Sequence, residues 1–153
     1  MNSSLTAILL LVTAGTGFAA NPYLGIWKFN DAKSKLAPGV SRNATMTYSQ
    51  HGDYIKMVTD GTNPDGKPKH TVWMGRFDGN AYPVKGDPFS PYNSMGMQAI
   101  TDHVQLIQGI AEGKVAWWGT VTISPDGKTR TARLHSTDSR GRNFTVRKVY
   151  DRA

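Results

Sequence analysis

Apolar and polar residues alternate along most of this chain in short runs, and a turn signal closes nearly every run. Strand-length stretches rich in β-branched and aromatic residues run over Leu24 to Phe29, Thr45 to Gln50, Tyr54 to Thr59, Thr71 to Phe77, Met95 to Ile100, His103 to Gln108, Val115 to Ser124, Thr129 to Thr137 and Phe144 to Tyr150. Ala81 to Val84 is a candidate tenth strand. Between them stand His51-Gly52-Asp53, Asp60-Gly61, Asp65-Gly66, Asp78-Gly79, Glu112-Gly113, Asp126-Gly127 and Arg140-Gly141, where glycine after a short polar residue meets the positive φ of tight hairpins. No useful helical periodicity follows the first apolar run; Asp31 to Leu36 has room for a single turn before Pro38-Gly39. Evenly spaced short strands predict an all-β meander, and closure into one up-and-down antiparallel β-barrel of nine or ten strands would remove both sheet edges.

The faces of these strands bear on what fills such a barrel. In Val115 to Ser124, one face carries Val115, Trp117, Gly119, Val121 and Ile123 and reads as core. In the fourth run, His70, Val72, Met74 and Arg76 oppose Thr71, Trp73, Gly75 and Phe77, so either assignment places polar beside apolar groups inside. Mixed inner faces are tolerated where water or a ligand occupies the interior. Met46, Met57, Met74, Met95 and Met97 are adaptable surface of the same kind, although irregular core filling accounts for them as well. In the last strand Phe144, Val146, Lys148 and Tyr150 share one face, and Thr145, Arg147, Val149 and Asp151 the other.

Leu5 to Phe18 is almost continuously apolar and small, with Gly17-Phe18-Ala19 suited to a signal peptidase. Residues 1–19 are expected to be a signal peptide and 20–153 a single domain, periplasmic or secreted, with no later run long enough to span a membrane. The chain has no cysteine, so the core alone must stabilise it in an oxidising compartment.

The formal net charge of +7 favours anionic partners, but the cations are scattered and no block of five like charges occurs, so no nucleic-acid partner is expected. Of eleven acidic residues, Asp53, Asp60, Asp65, Asp78, Asp87 and Asp126 adjoin glycine, where the carboxylate serves the turn, leaving no evident acid–base pair. His51, His70, His103 and His135 lack metal-ligand spacing, and no Gly-x-Ser-x-Gly elbow is present. The expectation is a monomeric, non-enzymatic protein without cofactor or metal.

Three stretches carry a resemblance: Gly25-Ile26-Trp27-Lys28-Phe29-Asn30 with Ala32-Lys33-Ser34-Lys35; Asp78-Gly79-Asn80-Ala81-Tyr82-Pro83-Val84-Lys85-Gly86-Asp87-Pro88; and Ser124-Pro125-Asp126-Gly127-Lys128-Thr129. In this order they resemble a family of exported bacterial lipocalin-like proteins whose members mostly lack an assigned activity. The resemblance implies a calycin-type barrel, similar to lipocalins and fatty-acid-binding proteins. In the latter an Arg-x-Tyr near the chain end holds a ligand carboxylate, and the matching positions are Lys148 and Tyr150; lysine keeps the charge but not the planar fork. The connection between Trp27 and Met46 is too short for the two-helix lid of those proteins. The resemblance further implies that Gly25 and Trp27 form the barrel floor, with Arg147 or Lys148 stacked on the indole.

Two functions follow as expectations. One is binding of a small apolar or amphipathic ligand, with an anionic end, by a wall of Trp73, Trp117, Met74 and Tyr150 and an anchor of Lys148 or Arg76. The other is a filled barrel acting through its basic outer surface on anionic polymers or a protein partner, as an interaction module or envelope-stress factor.

Overall fold

The computed structural model describes residues 20–88 and 90–153; the expected signal peptide lies outside them. Ten antiparallel strands form one closed barrel: β1 (Gly25–Phe29), β2 (Arg42–His51), β3 (Tyr54–Thr62), β4 (Pro68–Gly75), β5 (Asp78–Lys85), β6 (Ser94–Ala99), β7 (Val104–Ala111), β8 (Lys114–Ile123), β9 (Thr129–Thr137) and β10 (Asn143–Arg152). Each strand pairs with its neighbour in sequence, and β1 also pairs with β10, which closes the circuit. The expected all-β up-and-down barrel is therefore observed, with the tenth strand present. The β4–β5 seam is the thinnest, with register partners only at Val72–Lys85 and Trp73–Val84.

Several turn signals act where expected. Ala111 faces Lys114 across Glu112 and Gly113, whose φ values of 49° and 78° are the pair that a two-residue type I′ hairpin needs. Two others do not make turns. Asp60-Gly61 lies inside β3, where a Cβ on Gly61 would run into the Arg42 carbonyl beside the register shift at Asn43/Thr45. Asp78-Gly79 opens β5 at a second register shift, with φ of +83° at Gly79. In both places glycine serves a bulge rather than a hairpin. A third bulge between Gly109 and Ile110 corrects the expected core face of β8: it sends Val115 outward, while Gly119, Val121 and Ile123 stay buried.

One end of the barrel is plugged. Trp27 and Trp73 are fully buried there with Tyr23, Met97, Val121 and Ile123. Trp27 donates its indole N–H to the Tyr23 carbonyl (2.9 Å), Trp73 donates to the Met95 carbonyl (2.9 Å), and Trp73 stacks on Phe77. The cation on Trp27 is Arg152, not Arg147 or Lys148. Its guanidinium carbon lies 4.2 Å from the ring centroid, because the β1–β10 register sets Arg152 directly opposite Trp27. The same guanidinium donates to the carbonyls of Gly127 (2.7 Å), Leu24 (2.6 Å) and Pro22 (2.6 Å), tying the incoming chain and the β8–β9 turn to the plug.

This clasp explains the glycine of Gly25-Ile26-Trp27. Gly25 has φ of +116°, and a Cβ there would lie 2.6 Å from Arg152 Nη1. Gly25→Ala is expected to destabilise the fold by roughly 1–3 kcal/mol, from backbone strain plus displacement of Arg152. Urea denaturation measures it, and a loss within about 0.5 kcal/mol would contradict the clasp.

Candidate functional site

Above the plug the inner faces of β2 to β10 surround a cavity of about 180 Å³. For scale, a cavity of roughly 150 Å³ accommodates benzene. Met46, Met57, Met95, Ile107, Leu134 and Val146 supply apolar wall, while Gly39 to Ser41 and Pro91-Tyr92 lie at the end away from Trp27. The interior is not filled, which counts against the filled-barrel expectation.

Three cations enter this cavity, each as the polar member of an otherwise inward-facing series. On β4, Lys69 precedes Thr71 and Trp73; on β9, Arg130 precedes Ala132 and Leu134; on β10, Lys148 stands between Val146 and Tyr150. All three are buried. Lys69 Nζ donates to Asn43 Oδ1 (3.3 Å), Lys148 Nζ to the Ser41 carbonyl (3.1 Å), and Arg130 Nη2 to the Tyr48 hydroxyl (3.1 Å). Arg130 also lies against the rings of Tyr150 and Tyr48, at 5.1 and 5.7 Å. Among the described residues no acidic side chain lines the cavity.

The electrostatics follow from this crowding. Burial, then the fields of Lys69 and Arg130, lower the Lys148 ammonium from 10.5 to about 7. Burial also lowers Lys69, against which the charge of Asp87 acts. Burial holds the phenols of Tyr150 and Tyr92 up at about 12, so both remain protonated donors.

Of the residues expected from sequence to contact a ligand, Lys148, Tyr150 and Trp117 meet in the cavity; Trp117 packs edge-on against Tyr92 with centroids 5.2 Å apart. Trp73 faces inward but belongs to the plug. Met74 and Arg76 are corrected: alternation from the inward Trp73 turns Met74 to the outer face, where it is 43% exposed, and Arg76 stands exposed just past the end of β4. Arg76 lies over the Tyr54 ring (4.7 Å) and within 3.8 Å of Asp53. Lys69, Arg130 and Asn43, which also line the cavity, were not among the residues expected from sequence. The signal for Arg130 was present: it shares a strand face with Ala132 and Leu134, and a long cation in such a series has to be explained. Among the described residues, no group of three His, Cys, Asp or Glu side chains is placed to hold a metal ion.

The fold and cavity together define a ten-stranded up-and-down barrel with a basic internal pocket. The chain matches no protein-family model, and no curated protein is detectably similar to it. Two solved structures resemble it distantly. One, described as EF1p2_mFAP2b bound to DFHBI, is 12% identical, with 88% of this chain and 97% of that chain covered and a TM-score of 0.48. The other, a redesigned beta barrel, mFAP1, bound to DFHBI, is 14% identical, with 86% and 95% covered and a TM-score of 0.42. Neither likeness bears on what this protein binds.

Proposed function

We propose that this protein is an exported, non-enzymatic carrier or sensor of a small amphipathic ligand with an apolar body and an anionic head. The observation that carries the proposal is the burial of Lys69, Arg130 and Lys148 around one cavity in whose lining, among the described residues, no acidic side chain stands, Asp87 acting on Lys69 from outside that lining. Burying cations together costs stability, and an arrangement of that kind is commonest where the charges act on a ligand. The methionine-rich wall above the plug suits a flexible apolar chain. The apolar leader over residues 5–18 supports export to a periplasm or the outside, and the resemblance to exported lipocalin-like proteins supports the same placement.

Decanoate is expected to displace a fluorescent fatty acid from the purified protein, and decanol to do so at least about 10-fold less well, because only the carboxylate makes charge-assisted hydrogen bonds. Arg130→Leu should erase most of that preference. Equal potency of decanoate and decanol would overturn the anionic head; no displacement by either, with no adduct in native mass spectrometry, would overturn ligand binding.

A further inference from the structure

Lys148 combines features that simple charge pairing does not require. The chain has no cysteine, and among the described residues no histidine or carboxylate joins the hydroxyls of Ser41, Ser136, Thr59 and Thr71 in the cavity lining to act as base. The two lysine amines are therefore the nucleophiles available there, and they are not equivalent. Lys148 is held at one point, the Ser41 carbonyl, through one N–H. A neutral amine so held keeps its lone pair for the cavity. Lys69 is bonded to Asn43 Oδ1, and although burial lowers its ammonium too, the charge of Asp87 opposes that lowering.

We propose that Lys148 Nζ is a carbonyl-reactive nucleophile that condenses reversibly with an apolar aldehyde or ketone entering the cavity, forming an imine. The proposal rests on the reading of the cavity as a ligand site and names a second ligand chemistry for it. The Nζ lone pair attacks the carbonyl carbon and a C–N bond forms, giving a carbinolamine. The C–O bond then breaks and both amine protons leave with the oxygen as water, leaving C=N. No oxidant or reductant is consumed, and the addition of water reverses the step.

The charged and phenolic groups around this cavity support the chemistry. Lys69 from β4 and Arg130 from β9 press positive charge on Lys148; Tyr48 from β2 accepts a hydrogen bond from Arg130; Tyr92 from the β5–β6 connection and Tyr150 from β10 are phenols that burial keeps protonated; Asp87 acts on Lys69 and Tyr92. With its ammonium lowered to about 7, Lys148 is about half free amine at neutral pH. An ordinary exposed lysine has on the order of a thousandth of that fraction.

Octanal with sodium cyanoborohydride at neutral pH, followed by peptide mass spectrometry, tests the proposal. Octyl modification is expected at Lys148 at least about 10-fold above exposed lysines such as Lys67 and Lys114, and to vanish from that peptide in Lys148→Arg. Lys69→Met should move the pH midpoint of Lys148 labelling upward, because a repelling charge is gone; a purely structural role for Lys69 would leave that midpoint in place. Circular dichroism checks that each variant folds, and the wild-type labelling ratio stands whether or not they do. Octyl groups on exposed lysines with Lys148 bare, while decanoate still displaces the fluorescent fatty acid, would overturn the imine and leave the ligand site standing. Lys148 bare with no displacement would overturn both.

Discussion

Trp27→Ala is expected to lower the free energy of unfolding by about 3–5 kcal/mol, a large share of the roughly 5–15 kcal/mol available to a domain of this size. Trp27 is fully buried, its indole N–H bonds Tyr23, and Arg152 lies on its ring, so truncation opens a cavity and unseats the clasp that ties three backbone carbonyls. Trp27→Phe keeps most of the packing and the cation's seat but loses the indole hydrogen bond, and should cost less. Trp118 is the control: it is 57% exposed on the outer face, stacked on His135, and Trp118→Ala should cost under about 1 kcal/mol. Urea midpoints at equal m-value measure all three. Losses of the same size for Trp27→Ala and Trp118→Ala would show that the plug does not anchor the barrel.

Lys148→Met is expected to stabilise the protein at pH 6 by on the order of a few kcal/mol while weakening decanoate binding at the same pH. Unfolded, Lys148 keeps its proton to about pH 10.5; folded, it keeps it only to about pH 7. Between those values the folded state binds fewer protons, so the destabilisation by Lys148 is full below pH 7, shrinks as pH rises, and is gone above 10.5. Wild type and variant should therefore converge on going from about pH 6 to pH 9. Above that range Tyr92 and Tyr150 intervene with the opposite sign, since phenols raised to about 12 in the fold lose stability as the unfolded phenols ionise. Decanoate favours the ammonium form, so its affinity for wild type should fall as pH rises through about 7, and the fall should be absent from the variant. Parallel stability profiles would show that Lys148 titrates normally in the folded protein.

The two predictions concern opposite ends of the barrel, and the two ends were unequally legible. The plug was expected at Gly25 and Trp27 through the resemblance, which local features can carry because its requirements are local: a backbone that suits glycine and a large aromatic in an opening strand. Its cationic partner could not be read that way, because the choice among Arg147, Lys148 and Arg152 turns on a register between the first and last strands. The cavity was half legible. Trp117 came from alternation along a single strand, whereas Lys148 and Tyr150 came from the resemblance to fatty-acid-binding proteins, alternation adding only that they share a face. For the fourth strand alternation left both faces open, with Trp73 on one and Met74 and Arg76 on the other, and only the burial of Trp73 determines which looks in.

Sequence by itself determined the all-β class, the meander order and most of the hairpins, because period-two alternation and glycine turns act over a few residues at a time; the aromatic at the floor came with the resemblance. Tertiary structure alone decided three things: that Asp60-Gly61 and Asp78-Gly79 mark bulges, that Arg152 clasps the plug, and that Lys69, Arg130 and Lys148 meet in one cavity. Arg130 and Lys148 lie on the paired neighbours β9 and β10, but Lys69 on β4 is far from both in sequence. Only ring closure, with each strand's register set by its neighbours, turns their side chains toward a common space where burial and mutual repulsion change their chemistry.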